Sequence, residues 1–274
     1  MPVISTNTAA DSAVRYLNIN ANQESSALSK LSSGSRITEA SDDAAGLAIS
    51  TRISSDVTTL QQAATNASQA TSILQTADGG ASNISDILAR MKSLASESSS
   101  GTVTDSSRSY INSEFTQLSS EIDSIASGTR YSSQSLLDGT SAFASGVSVL
   151  VGSSASDTIT VTLSDLKAST LGVSTLDIST QSGATTALTS LDTAINTVSA
   201  ARASIGAQES RFNFSASSIS TQTANLQAAN SAITDVDVAS EEATLSSAEV
   251  KTQAAVSAET AANQMPQFLL KLLG

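Results

Sequence analysis

Apolar side chains recur at every seventh position along two long stretches of the chain, and the clearer of these rows lies in the second half. A step of seven keeps side chains on one helix face and favours a left-handed seam with a partner helix. This row predicts one helix over roughly 185–231, on the order of 70 Å long at about 1.5 Å per residue, which is typical of a coiled coil or rod. The row consists of Leu191, Val198, Ile205, Phe212, Ile219, Leu226 and Ile233.

A matching row upstream predicts a second long helix, with smaller side chains that let helix axes approach closely. Gly79 and Gly80 interrupt this row, and we expect a local kink or a weak point of the helix there. A shorter helix follows over about 105–127, where apolar residues recur at spacings of three and four. The upstream row consists of Ile53, Leu60, Ala67, Leu74, Ala81, Leu88 and Ala95.

Both ends of the chain carry weaker versions of the same helical pattern. Helices of this kind owe most of their stability to tertiary packing, so we expect the ends to be disordered until they find partners. A dense apolar stretch closes the C-terminal helix, and an exposed apolar patch of this kind marks an interaction site. The predicted terminal assembly surface comprises Val14, Leu17, Leu28, Leu31, Phe268, Leu269, Leu270, Leu272 and Leu273.

The middle of the chain changes from helical to alternating periodicity. GVSVLVG and DTITVTL place apolar residues at every second position, which predicts strands with one covered face. We therefore expect a small antiparallel β unit within roughly 130–182. The predicted fold is mainly α, with long antiparallel or parallel coiled-coil helices that form a rod and a small antiparallel β-hairpin insertion.

The composition excludes several classes of chemistry. The chain has no Cys and no His, so zinc sites built on those ligands, Cys–His pairs and Ser–His–Asp triads are impossible. A formal charge of −12 disfavours nucleic acid and anionic lipid as partners. The sequence contains no run of 18 apolar residues that would predict a membrane-spanning helix, and the N-terminus lacks the pattern of a cleavable secretory signal. We predict no enzymatic activity, no cofactor and no metal.

Three pairs of nearby carboxylates are the remaining candidates for chemistry. Such a pair could hold a hard cation or share a catalytic proton, but acids are also favoured at helix N-termini. Helices are predicted to start directly after two of the pairs, which favours the interpretation that these acids stabilise helix N-termini. The pairs are Asp42–Asp43, Asp235–Asp237 and Glu241–Glu242.

Residues 31–53, LSSGSRITEASDDAAGLAISTRI, closely resemble the N-terminal signature of bacterial flagellin. The similarity recurs in four further blocks in the same order, which makes it highly specific. The middle of the chain does not match, and it is short. The four blocks are INSEFTQLSSEID (111–123), ARASIGAQESRF (201–212), ITDVDVASEEATLSSAEV (233–250) and AANQMPQFLLKLL (261–273).

The resemblance implies a structural subunit that polymerises into the flagellar filament, the helical propeller of swimming bacteria. Residues 1–43 with 232–274 would form an inner coiled-coil domain, and 44–231 a helical rod domain carrying the β insertion. The implied partners are copies of the chain itself in a helical homopolymer, an export chaperone, and the cap and hook–filament junction proteins. The implied location is extracellular, after type III export without a cleaved signal.

The resemblance also carries candidate contacts with the innate immune receptor TLR5, at Leu88, Arg90, Leu94 and Glu114. Two other functions stay open. One is a hook–filament junction protein, which copy number in sheared filaments would distinguish from the main subunit. The other is a surface adhesin or glycan-binding protein on the flagellin scaffold, which would need more aromatic side chains near the β region.

Overall fold

The computed structural model describes the backbone of residues 7–273 and the side chains of residues 7–267. Helices dominate this part of the chain, and two of them exceed 50 residues because no proline interrupts their heptad rows. The elements, in chain order, are α1 (Thr8–Ser33), α2 (Ala44–Ser99), α3 (Asp105–Gly128), β1 (Arg130–Tyr131), β2 (Gln134–Ser135), α4 (Ala142–Ser145), β3 (Val147–Leu150), β4 (Thr158–Val161), α5 (Gln181–Thr234) and α6 (Val238–Leu273).

The chain divides into two compact units. One holds residues 56–224, and the other combines the residues up to Ser55 with those from Asn225 onward. These divisions fall inside α2 and α5, whereas the boundaries expected from the sequence, 43/44 and 231/232, lie close to helix ends. The expected boundaries thus coincide with the start of α2 at Ala44 and lie close to the end of α5 at Thr234.

In the unit 56–224, α2 and α5 run antiparallel. Arg202 Nε lies 2.8 Å from Asp78 Oδ1, and Lys92 pairs with Asp192. From the first contact to the second, the residue number increases along α2 and decreases along α5, so the two helices run in opposite directions. Both heptad rows are buried within this unit, so the two helices build its core from the stripes that the seven-residue step predicts.

The glycine pair does not interrupt α2, which is helical without a break from Ala44 to Ser99. Gly80 is buried, and a Cβ added to it would come within 2.9 Å of both Leu137 Cδ1 and the Thr129 side chain. A Cβ on Gly79 would meet nothing within 4 Å. Gly80 therefore allows the β1–β2 region to approach α2 closely.

This difference between neighbouring glycines gives a first prediction. We expect Gly80→Ala to lower the free energy of unfolding by about 1–3 kcal/mol, because the methyl group overpacks a close contact. Gly79→Ala is the matched control and should raise stability by up to about 1 kcal/mol, as alanine replaces glycine in an open helix position. Chemical denaturation of both variants measures the difference. Equal changes in the free energy of unfolding would contradict the close contact assigned to Gly80.

The β structure consists of two small antiparallel hairpins within the described residues. Strands β1 and β2 pair through Arg130↔Ser135, across a two-residue turn. Strands β3 and β4 pair from Val147↔Val161 to Leu150↔Thr158. The alternation in the sequence thus predicts the second hairpin correctly, and the buried face of β4 carries Ile159 and Val161.

The expected β unit extends too far, because residues 162–180 form no strand. Side chains of α5 and α3 bind the backbone of this segment instead. Gln208 accepts from Thr162 N at 2.9 Å and donates to Thr162 O at 3.0 Å. Asp123 accepts from Ala168 N at 2.9 Å. The polar backbone groups are thus satisfied without a sheet.

Candidate functional site

The terminal helices α1 and α6 pack against each other through small side chains. Burying alanine removes little apolar area per residue from water, so this contact is close but contributes little stabilisation. Two polar contacts accompany it, from Thr252 Oγ1 to Glu24 Oε2 at 3.3 Å and from Asn7 Nδ2 to Ala262 O at 2.8 Å. The buried residues that line the two helices are Ala10, Ala27, Ala248, Ala255 and Ala262.

Many of the larger apolar side chains of this terminal unit are exposed. Ten of them are exposed among the described residues, against three in the unit 56–224. Exposed apolar patches mark interaction sites, so this concentration indicates a surface for a partner. We call this set the terminal apolar surface: Val14, Tyr16, Ile19, Leu28, Leu47, Ile49, Val238, Val250, Val256 and Met265.

The residues predicted for terminal assembly fall into three groups. Val14 is 39% exposed and Leu28 is 57% exposed, so both belong to the terminal apolar surface. Leu17 and Leu31 are half-buried. The side chains of Phe268, Leu269, Leu270, Leu272 and Leu273 lie outside the described residues, although the backbone of α6 is helical as far as Leu273.

Two loops of the terminal unit are tied together by backbone hydrogen bonds and one arginine. Arg36 donates through Nη2 to the carbonyl oxygen of Ile233 at 2.8 Å, and its backbone N–H donates to Thr234 O at 2.6 Å. Val236 N donates to Gly34 O at 3.1 Å. We call these contacts the junction clasp. They satisfy carbonyl groups at the end of α5 that have no partner inside the helix.

Three of the paired carboxylates accept hydrogen bonds from backbone N–H groups, two of them at helix starts. Asp43 Oδ1 accepts from Gly46 N at 2.8 Å, at the start of α2, and Asp237 Oδ1 accepts from Ala239 N at 3.1 Å, at the start of α6. The backbone N–H of Thr38 donates to Asp42, and with further hydrogen bonds this lowers the pKa of that carboxyl. These contacts give the carboxylates a structural role.

Among the described residues, no group of three or more Asp or Glu side chains lies in an arrangement that could hold a metal ion. In the same part of the chain, no helix combines the length and the apolar character needed to cross a bilayer.

Most residues of the two predicted heptad rows are buried. Leu60, Leu74, Leu88, Leu191, Val198, Ile205, Phe212 and Ile219 are all at most 3% exposed and lie in the unit 56–224. Ile53, Leu226 and Ile233 are half-buried and lie in the terminal unit. The rows are therefore fully covered only between Leu60 and Ile219.

The four candidate receptor contacts separate into two kinds. Leu88 is 0% exposed and Leu94 is 2% exposed, so these two cannot meet a partner at the surface, and the structure corrects that expectation. Arg90 and Glu114 are exposed, and Arg90 Nη2 lies 2.7 Å from Glu114 Oε1. Only this ion pair between α2 and α3 remains available.

Comparison with known proteins gives a consistent family. Residues 4–142 match the family model of the bacterial flagellin N-terminal helical region. Residues 188–273 match that of the bacterial flagellin C-terminal helical region. The chain is 37% identical to a flagellin of Halalkalibacterium halodurans over 99% of both chains. It is 34% identical to the flagellar filament 30.7 kDa core protein of Treponema maltophilum, again over 99% of both.

A solved structure supports the same family. The crystal structure of Bacillus cereus flagellin superposes with a TM-score of 0.52 at 31% identity, covering 61% of this chain and 94% of that one. Between the two matched regions, residues 143–187 are unmatched, and they include the β3–β4 hairpin. This chain belongs to the bacterial flagellin family.

Proposed function

We propose that this chain is the structural subunit of a bacterial flagellar filament, and that it polymerises with copies of itself. Its role is mechanical and not catalytic. Family membership over nearly the whole length supports this, as does the name of the Treponema maltophilum relative as a filament core protein.

The terminal apolar surface is the observation that carries the proposal. Most of its side chains stand outward from α1 and α6, whose own contact is made of alanines. Burying one Val, Leu or Ile side chain contributes about 1.5–3 kcal/mol, so covering several of them outweighs the weak alanine contact. A second copy of the chain presents the same apolar helices. Association between copies therefore supplies the buried area that one terminal unit lacks.

The finer parts of the proposal concern location and other partners. An extracellular filament requires export, and we propose that an export chaperone covers the apolar end of α6 beforehand. The cap and hook–filament junction proteins would meet the same terminal helices at the two ends of the polymer. For TLR5, the exposed ion pair of Arg90 and Glu114 is the proposed contact. The alternatives, a junction protein or an adhesin, are not favoured by the family matches.

Seeded growth tests the proposal directly. Purified protein added to filament fragments should elongate them into filaments visible by electron microscopy. Leu28, 57% exposed on α1, offers a matched pair of variants. We expect Leu28→Asp to stop elongation, because it buries an unpaired charge at the contact, while the helical circular dichroism stays unchanged. Leu28→Met keeps the apolar area and should elongate normally.

Two outcomes would count against the proposal. If the wild-type protein does not elongate any filament seed, the chain is not a filament subunit. If Leu28→Asp elongates as fast as Leu28→Met, the terminal apolar surface is not the contact between subunits.

A further inference from the structure

Helix α6 contains a proline in its interior. Pro266 has no backbone N–H, so it cannot donate to the carbonyl oxygen of Ala262, four residues earlier. Ala262 is buried, at 5% exposed. A buried carbonyl group without a partner costs free energy, so this carbonyl needs a donor from outside the helix.

Asn7 supplies that donor from the other end of the chain. Its Nδ2 donates to Ala262 O at 2.8 Å. Its Oδ1 accepts from Ala10 N at 3.2 Å, which makes Asn7 the N-cap of α1. The two partners also determine the orientation of the amide, because a flipped side chain would face a donor with a donor and an acceptor with an acceptor.

We propose that Asn7 is a positioning residue, which sets the register of α1 against α6 at the carbonyl that Pro266 leaves free. In this part of α6 the carbonyl of Ala258 already accepts from the N–H of Ala262, in the regular helical pattern. A shift of α1 by one turn would bring the Asn7 amide to that occupied carbonyl. Asn7, Ala262 and Pro266 thus form a latch between the two ends of the chain.

The latch bears on assembly, and this part rests on the proposed function. Residues beyond Pro266 continue α6 to Leu273, and they carry the apolar end of the chain. A proline inside a helix removes one backbone hydrogen bond and its ring crowds the carbonyl group four residues earlier, so the helix is weakest at that carbonyl. By satisfying it, Asn7 keeps the last residues of α6 in line with the helix that precedes them.

A double-mutant cycle separates the latch from the N-cap. Asn7→Asp and Asn7→Ser both keep a good N-cap, because Asn, Asp and Ser cap helices about equally well. Neither can donate to Ala262 O in the same way. Pro266→Ala restores the backbone N–H and makes the Asn7 donor unnecessary. The four combinations can be compared in the full-length protein by amide hydrogen exchange of the α6 residues 255–265.

We expect Asn7→Asp and Asn7→Ser to speed exchange about fivefold, the effect of losing one buried hydrogen bond. In the Pro266→Ala background the same changes should have little effect. Asn7→Ala removes the cap as well, so Pro266→Ala should restore its protection only in part. Equal acceleration by Asn7→Ser in both backgrounds, or no acceleration in either, would overturn the proposal.

The polymer provides a second measurement that keeps this proposal apart from the previous one. Asn7→Ser should raise the critical concentration for polymerisation, and Pro266→Ala should reverse that rise. If the wild-type chain polymerises but the effects of the Asn7 and Pro266 substitutions on hydrogen exchange are additive, the latch is wrong and the filament function stands. If the exchange cycle is coupled but the wild-type chain never polymerises, the latch stands and the filament function falls.

Discussion

Deleting residues 266–274 is expected to abolish polymerisation while leaving the unit 56–224 folded. The buried heptad rows of α2 and α5 hold that unit together, and neither row includes a residue of α6. The deleted segment carries the apolar end of the chain, including Phe268 and Leu269. Circular dichroism should show the long helices of the unit retained, and seeded filament growth should stop.

Two further variants identify which part of the segment matters. A shorter deletion, of residues 268–274, keeps Pro266 and the latch but removes the apolar end, and it should also stop growth. A full-length chain with Leu269→Met and Leu272→Met keeps the apolar character and should grow. Elongation at the normal rate by either truncated protein would show that the apolar end is not an assembly surface.

Truncating Phe212 should produce a large loss of stability in the unit 56–224. Its side chain is 0% exposed and is the largest in the α5 row. Phe212→Ala is expected to cost about 3–5 kcal/mol, the sum of lost apolar burial and the cavity that remains. Chemical denaturation of the monomer would measure this as a lower transition midpoint.

Phe214 is a control two positions further along the same helix. It is 78% exposed, so Phe214→Ala should change the free energy of unfolding by no more than about 0.5 kcal/mol. The pair compares the same chemical change on the two faces of α5. Equal effects would mean that Phe212 does not lie in the core and that the heptad register is wrong.

The helices could be predicted from the sequence because their apolar period is long and uninterrupted. The expected helix over 185–231 is α5, observed over Gln181–Thr234, and that over 105–127 is α3, observed over Asp105–Gly128. The segment 162–180 could not be predicted in the same way. Its backbone is held by side chains such as Gln208 and Asp123, which are distant in sequence, and no local pattern reports such partners.

The surface residues were harder to predict than the core. Periodicity indicated that α1 and α6 have apolar faces, but not that alanines would form their contact and leave Val14 and Leu28 outside. Packing decides this, because small side chains allow the closer approach of two helix axes. The junction clasp was missed, although Arg36 lies two residues after the helix-ending Gly34, whose φ of 71° is typical of that position.

The two ion pairs between α2 and α5 have opposite polarity, and this limits how the helices can align. Along α2 the acid is Asp78 and the base is Lys92, while along α5 the acid is Asp192 and the base is Arg202. Sliding α5 by the 14 residues that separate Asp78 from Lys92 preserves the heptad stripe. In one direction, however, it sets Lys92 against Arg202, and in the other Asp78 against Asp192. Exposed pairs of this kind add little stability, but like charges in contact are repulsive, so the pairs select one alignment from several that the apolar stripe alone would accept.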